Sequence, residues 1–130
     1  MGVTLVQIDT VALQIAFERW FEKCDELYQD NGRGPKLGYH LEYEFGRKYI
    51  KIINCTGNQR SVWAFVEMKT GNIYKPANWK RPAKHTRGNI FDKDGGMKYM
   101  QWTGPMYMTA INEINKEKEA DYNNPKWYES

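Results

Sequence analysis

The feature that most constrains this chain is a change of rhythm at residue 39. From Tyr39 to Lys75 four short runs rich in β-branched and aromatic residues, "YHLEYEF", "KYIKIIN", "SVWAFVEM" and "NIYK", follow one another with only Gly46, "TGNQ" and "KTGN" between them. Connections this short join antiparallel neighbours, because a parallel crossover needs a dozen or more residues. The segment therefore predicts an antiparallel meander of about four strands, with Gly57-Asn58 and Gly71-Asn72 supplying the positive-φ positions of tight turns. Strict alternation along "SVWAFVEM" puts Val62, Ala64 and Val66 on one face and Trp63 and Phe65 on the other. A strand apolar on both faces belongs in the middle of a sheet.

Helical periodicity flanks this segment on both sides. Leu13, Phe17, Trp20, Phe21, Cys24, Leu27 and Tyr28 recur at steps of three and four, behind Asp9 and Thr10 as N-cap candidates. Gln14, Glu18, Glu22, Lys23, Glu26 and Gln29 lie opposite, and "DNGRGPKLG" stops the helix, which is expected near residues 10 to 29. "GGMKYMQWTG" reads as a turn and a short strand. A second helix is expected near 106 to 119, with Met108, Ile111 and Ile114 inward and Pro105 in its first turn. The tail "DYNNPKWYES" is expected to be irregular, with Trp127 against the body. At 130 residues, the chain reads as a single α+β domain over 1–130: a β-meander packed with an N-terminal and a C-terminal helix.

Catalytic and metal chemistry is poorly represented. Cys24 and Cys55 lack C-x-x-C spacing, so they read as reduced packing residues, with no disulfide framework and no zinc site. His40 and His85 are far apart, and no carboxylate stands beside His85 to orient it as a base. Glu42 and Glu44 share a strand face, and Asp92 and Asp94 in "FDKDGG" read as a turn, because the glycines and distal glutamate of a calcium loop are misplaced. No hydrolase, phosphate-loop or dinucleotide motif occurs. The expectation is a protein that is not an enzyme and carries no cofactor. No run of 18 apolar residues occurs and Asp9 and Glu18 interrupt the N-terminus too early for a secretion signal, so no membrane association and a cytoplasmic location are expected.

Charge is where the sequence speaks most directly. The net value is only +3, yet Gly71 to Phe91 holds five basic residues and no acidic one, while Glu113 to Ser130 holds three basic and five acidic. Positive potential is therefore concentrated in "KPANWKRPAKHTRGN", residues 75 to 89, with an indole among the cations. Arginine and lysine grip phosphate oxygens, and an aromatic face stacks a base. Arg47 and Lys48 lead into Tyr49, and Arg60 precedes Trp63, so meander and loop together predict a platform with a cationic rim. The expected ligand-binding residues are Arg60, Lys75, Trp79, Lys80, Arg81, Lys84, Arg87 and Asn89. Trp79 either stacks on the ligand or anchors the loop, and Pro76 and Pro82 stiffen it.

The run from Gly46 to Asp92, carrying "SV", an aromatic-valine strand, "TG" and "YKPA.WK.PAK..RGNIFD", resembles a block found in small proteins of tailed bacteriophages. Arg81 stands where that block has a small residue, which adds charge to the loop. The resemblance implies a viral origin, a compact β-containing domain and action in the host cytoplasm, and no mechanism. The expectation is a phage protein that binds a phosphate-bearing ligand, either a nucleotide, such as a host defence signalling nucleotide, or nucleic acid. The alternative is an inhibitor of a host defence or metabolic enzyme that uses the same loop as a protein epitope. Self-association into a homo-oligomer fits either.

Overall fold

The computed structural model describes residues 10–30 and 38–123, with side chains described through residue 116. The Asp9 cap, the turn over residues 31–37 and Trp127 lie outside the described residues. The element order is α1 (Thr10–Asp30), β1 (His40–Phe45), β2 (Tyr49–Thr56), β3 (Gln59–Glu67), β4 (Ile73–Tyr74), β5 (Met100–Gln101), β6 (Gly104–Pro105) and α2 (Met108–Asn123). Strands β1 to β4 form one antiparallel sheet in sequential order, and β5 and β6 form a small hairpin. This is the α+β meander that the short connections predict. Among the described residues no helix is long and apolar enough to cross a membrane.

α1 covers one face of the sheet with Ala16, Phe17, Trp20, Cys24 and Tyr28, which meet Leu41, Ile50, Ile52, Trp63, Ala64 and Val66 in a single core. The i, i+4 row from Ala16 to Tyr28 is a ridge along one helix side, and burying its larger side chains stabilises by roughly 1.5–3 kcal/mol each. The Tyr28 hydroxyl donates to Asn54 Oδ1 at 2.6 Å, which satisfies the polar end of a buried ring and pins the helix to β2.

Two local expectations change. The β2–β3 register slips between Ile52 and Ile53, so Ile52 faces Ala64 but Ile53 faces Val62. Trp63 is the extra residue of this bulge and is buried with Ala64 and Val66, instead of sharing the opposite face with Phe65. Strict alternation failed because a bulge breaks the period of two at one residue. Pro105 also differs: it pairs with Met100 in β6, and α2 starts three residues later at Met108. The β2–β3 turn itself is as expected in length, with φ of 66° at Gly57. Asn58 is not among the positive-φ residues, so glycine occupies the first central position, as in a type II′ turn.

The chain leaves β4 at Lys75 and returns along it. Asn72 bridges Asn89, Ile73 N donates to Gly88 O, and Arg87 N donates to Ile73 O. The return limb therefore covers the β4 edge, while among the described residues no strand pairs with the outer side of β1.

Candidate functional site

The basic segment is a hairpin-like excursion with an ordered root and a cationic tip. Pro76 bridges Pro82, Ala83 N donates to Lys75 O, and Ala77 N donates to Arg81 O, which closes the tip. Inside it, Asn78 Oδ1 accepts from the backbone N–H groups of Lys80 and Arg81 at 2.9 and 3.0 Å, an Asx turn that sets the direction of both side chains' backbone.

Seven of the eight expected site residues divide between these regions, and Arg60 lies apart on β3. Arg87 is only 5% exposed, and its guanidinium donates to the carbonyls of Met106, Lys84 and His85. Burial draws its pKa below the usual arginine value. Asn89 Nδ2 donates to Thr70 O and Asn72 Oδ1, while its Oδ1 accepts from Phe91 N. Lys75 is half-buried with its ammonium 4.1 Å from the centre of the Tyr107 ring, and burial, then Arg87, draws its pKa down. These three hold the root together. Trp79, Lys80, Arg81 and Lys84 are exposed, and the three cations among them form no ion pair with the described residues.

Lys80 meets residues from the sheet. A groove of about 240 Å³ on the face opposite α1 is lined by Glu44 to Tyr49, Lys51, Phe65 and Lys80. Four cations, Arg47, Lys48, Lys51 and Lys80, thus face one carboxylate, Glu44. Arg47 and Lys48 sit in the tight β1–β2 turn closed by Gly46 N donating to Tyr49 O at 2.8 Å. The Lys51 ammonium lies 4.3 Å from the Trp79 ring centre, so the indole is held over the sheet by a cation–π contact yet remains 41% exposed. Phe65, edge-on to Tyr49, is buried floor. Trp79 also lines a second groove with Arg60, Ser61, Val62 and Pro76 to Asn78. Arg60 is already paired there with Glu42, at 3.3 Å.

Lys51 is the groove residue that sequence reasoning missed, although the alternation Tyr49, Lys51, Ile53, Cys55 already put it on the face of Tyr49. The same face carries His40, Glu42 and Cys55 at the other end of β1–β2, with their donor atoms all within 4.8 Å of one another. Asp94 serves as a turn residue, as expected, its carboxylate accepting from Gly96 N and Lys98 N.

Set beside known proteins, the chain belongs to the family of unknown function DUF7717, whose family model matches residues 5–108. The match runs from before α1 to the first residue of α2 and so includes both the groove and the basic excursion. No curated protein and no solved structure matches the chain.

Proposed function

We propose that this protein binds a phosphate-bearing ligand, a nucleotide or a nucleic-acid strand, on the sheet face opposite α1, and does so without catalysis. The observation that carries this is the convergence of Lys80, from the basic excursion, with Arg47, Lys48 and Lys51, from β1–β2, around one groove beside the half-exposed Trp79. Ammonium and guanidinium groups that outnumber the groove's one carboxylate, Glu44, attract phosphate oxygens, and an exposed indole at the rim stacks a base, worth roughly 1 to 3 kcal/mol. Arg81 and Lys84 extend the positive field, while Arg87, Lys75 and Asn89 fix the shape of the excursion. On the resemblance to small tailed-phage proteins, the ligand is met in the cytoplasm of an infected bacterium.

A protein partner is the second interpretation, favoured by Tyr43 and Phe45, which are 41% and 61% exposed on β1, the outermost strand of the sheet among the described residues. A fluorescence titration with oligonucleotides and cyclic dinucleotides at two salt concentrations, using Trp79→Phe to assign the signal, tests the proposal. Binding well below millimolar at low salt, weakened about tenfold or more in Lys80→Glu and in Arg47→Glu, is the expected result. If no ligand binds below millimolar, the phosphate proposal fails and a host-lysate pull-down becomes the relevant experiment.

A further inference from the structure

Away from the basic groove, the same sheet face brings three dissimilar donors together. His40 on β1 and Cys55 on β2 are direct partners in the antiparallel ladder, and Glu42 lies two residues along from His40 on the same face. His40 Nδ1 faces Gly38 O at 3.1 Å, and Nε2 faces Glu42 Oε1 at 3.0 Å. A neutral imidazole has one N–H, so two acceptors call either for a second proton or for a cation between Nε2 and the carboxylate. A backbone carbonyl on one ring nitrogen is the usual orienting partner of a metal-bound histidine, and it directs the Nε2 lone pair at Glu42. Cys55, a buried residue only 5% exposed, completes the cluster, its sulfur within 4.8 Å of the His40 and Glu42 donor atoms.

We propose that His40 Nε2, a Glu42 carboxylate oxygen and Cys55 Sγ bind a divalent transition-metal ion of the zinc type, leaving a fourth position open beside Arg60. The donors all lie within 4.8 Å of one another. Around a tetrahedral ion with bonds of about 2.0 to 2.3 Å, neighbouring donors stand about 3.3 to 3.8 Å apart, a distance reached by small side-chain rotations. One thiolate and one imidazole select zinc-like ions over calcium or magnesium, which take oxygen. Binding displaces the thiol proton to solvent. Arg60 now lies 3.3 Å from Glu42 Oε2 and 4.0 Å from Glu44 Oε2, so Glu44 keeps it paired when Glu42 turns to the ion. A guanidinium at the open position favours an anionic fourth ligand.

Cobalt(II) titration of the reduced, metal-stripped full chain tests this directly. The expected result is a visible d–d spectrum and a near-ultraviolet thiolate-to-cobalt band that saturate at one ion per chain and are abolished by added zinc. Cys55→Ser should lose the thiolate band, whereas Cys24→Ser, at the other buried thiol, should keep it. The exposed His40→Gln and Glu42→Gln should weaken cobalt binding at least about tenfold, since loss of even an outer partner does so. Absence of a thiolate band in the parent protein, or its survival in Cys55→Ser, overturns the proposal. Undiminished affinity in both His40→Gln and Glu42→Gln overturns it as well.

Discussion

Arg87 and Lys80 carry the same charge in the same basic stretch and do opposite things. Lys80 reaches a groove with other cations, while the buried Arg87 guanidinium caps three backbone carbonyls, of Lys84, His85 and Met106. Nothing in "KRPAKHTRGN" distinguishes them, because the difference lies in whether carbonyls from another element come within reach. Met106, in the connection from β6 to α2, is that element for Arg87. Arg87→Met should therefore lower stability by about 2 to 4 kcal/mol, by stripping a charged donor from buried acceptors. Urea unfolding should show a lower midpoint with an unchanged slope. A loss under about 0.5 kcal/mol, the size expected of a surface site, shows that Arg87 is free for ligand.

The β5–β6 hairpin depends on a close approach that only one residue type allows. Gly104 has φ of 117°, and a Cβ there would stand 2.8 Å from the Trp63 carbonyl oxygen, a backbone atom that cannot swing aside. Trp63 Nε1 donates to Trp102 O at 3.1 Å, so the hairpin is seated on the indole that the β3 bulge turns into the core. Gly104→Ala combines a strained backbone with a clash and should cost about 2 to 4 kcal/mol. Its fluorescence should shift to the red as Trp63 becomes wet. An unshifted spectrum at parent stability means that the hairpin is not seated in this way. The basic excursion, by contrast, is held by its own bridges, so Lys80→Glu should leave the melting temperature unchanged while weakening ligand.

Across the whole molecule, order should follow burial. Ile50, Ile52, Ile53, Ala64 and Val66 of β2 and β3 are fully buried, whereas Ile111 is the one buried residue of α2 among those described to Lys116. Hydrogen exchange should find β2–β3 amides opening only with global unfolding and α2 amides exchanging at least about a hundredfold faster. Uniform protection would show that α2 is as firmly held as the sheet. The small net charge of +3 means that any nucleic-acid affinity comes from the groove and not from bulk attraction. With three or four phosphates neutralised by Arg47, Lys48, Lys51 and Lys80, a single strand should bind with a log–log salt slope of about −2 to −3. A slope near zero places the ligand elsewhere or makes it uncharged.

The meander was legible from residues alone because short connections between β-rich runs leave only antiparallel neighbours, and α1 because its apolar residues repeat with the helical period. Both are local rules, set within a few bonds. The bulge at Trp63, the placement of Pro105 in β6 and the burial of Arg87 were not legible, since each is decided by what packs against it. The groove stands between these cases. Its cations are plain in the sequence and Lys51 shares the Tyr49 face by alternation, but Lys80 joins them only because the excursion folds its tip over β2. His40 and Cys55 are likewise ordinary residues until the β1–β2 register sets them side by side. Sequence by itself determined the elements and the excess of positive charge; tertiary structure alone decided which charges converge, because convergence depends on distances between segments that no local rule encodes.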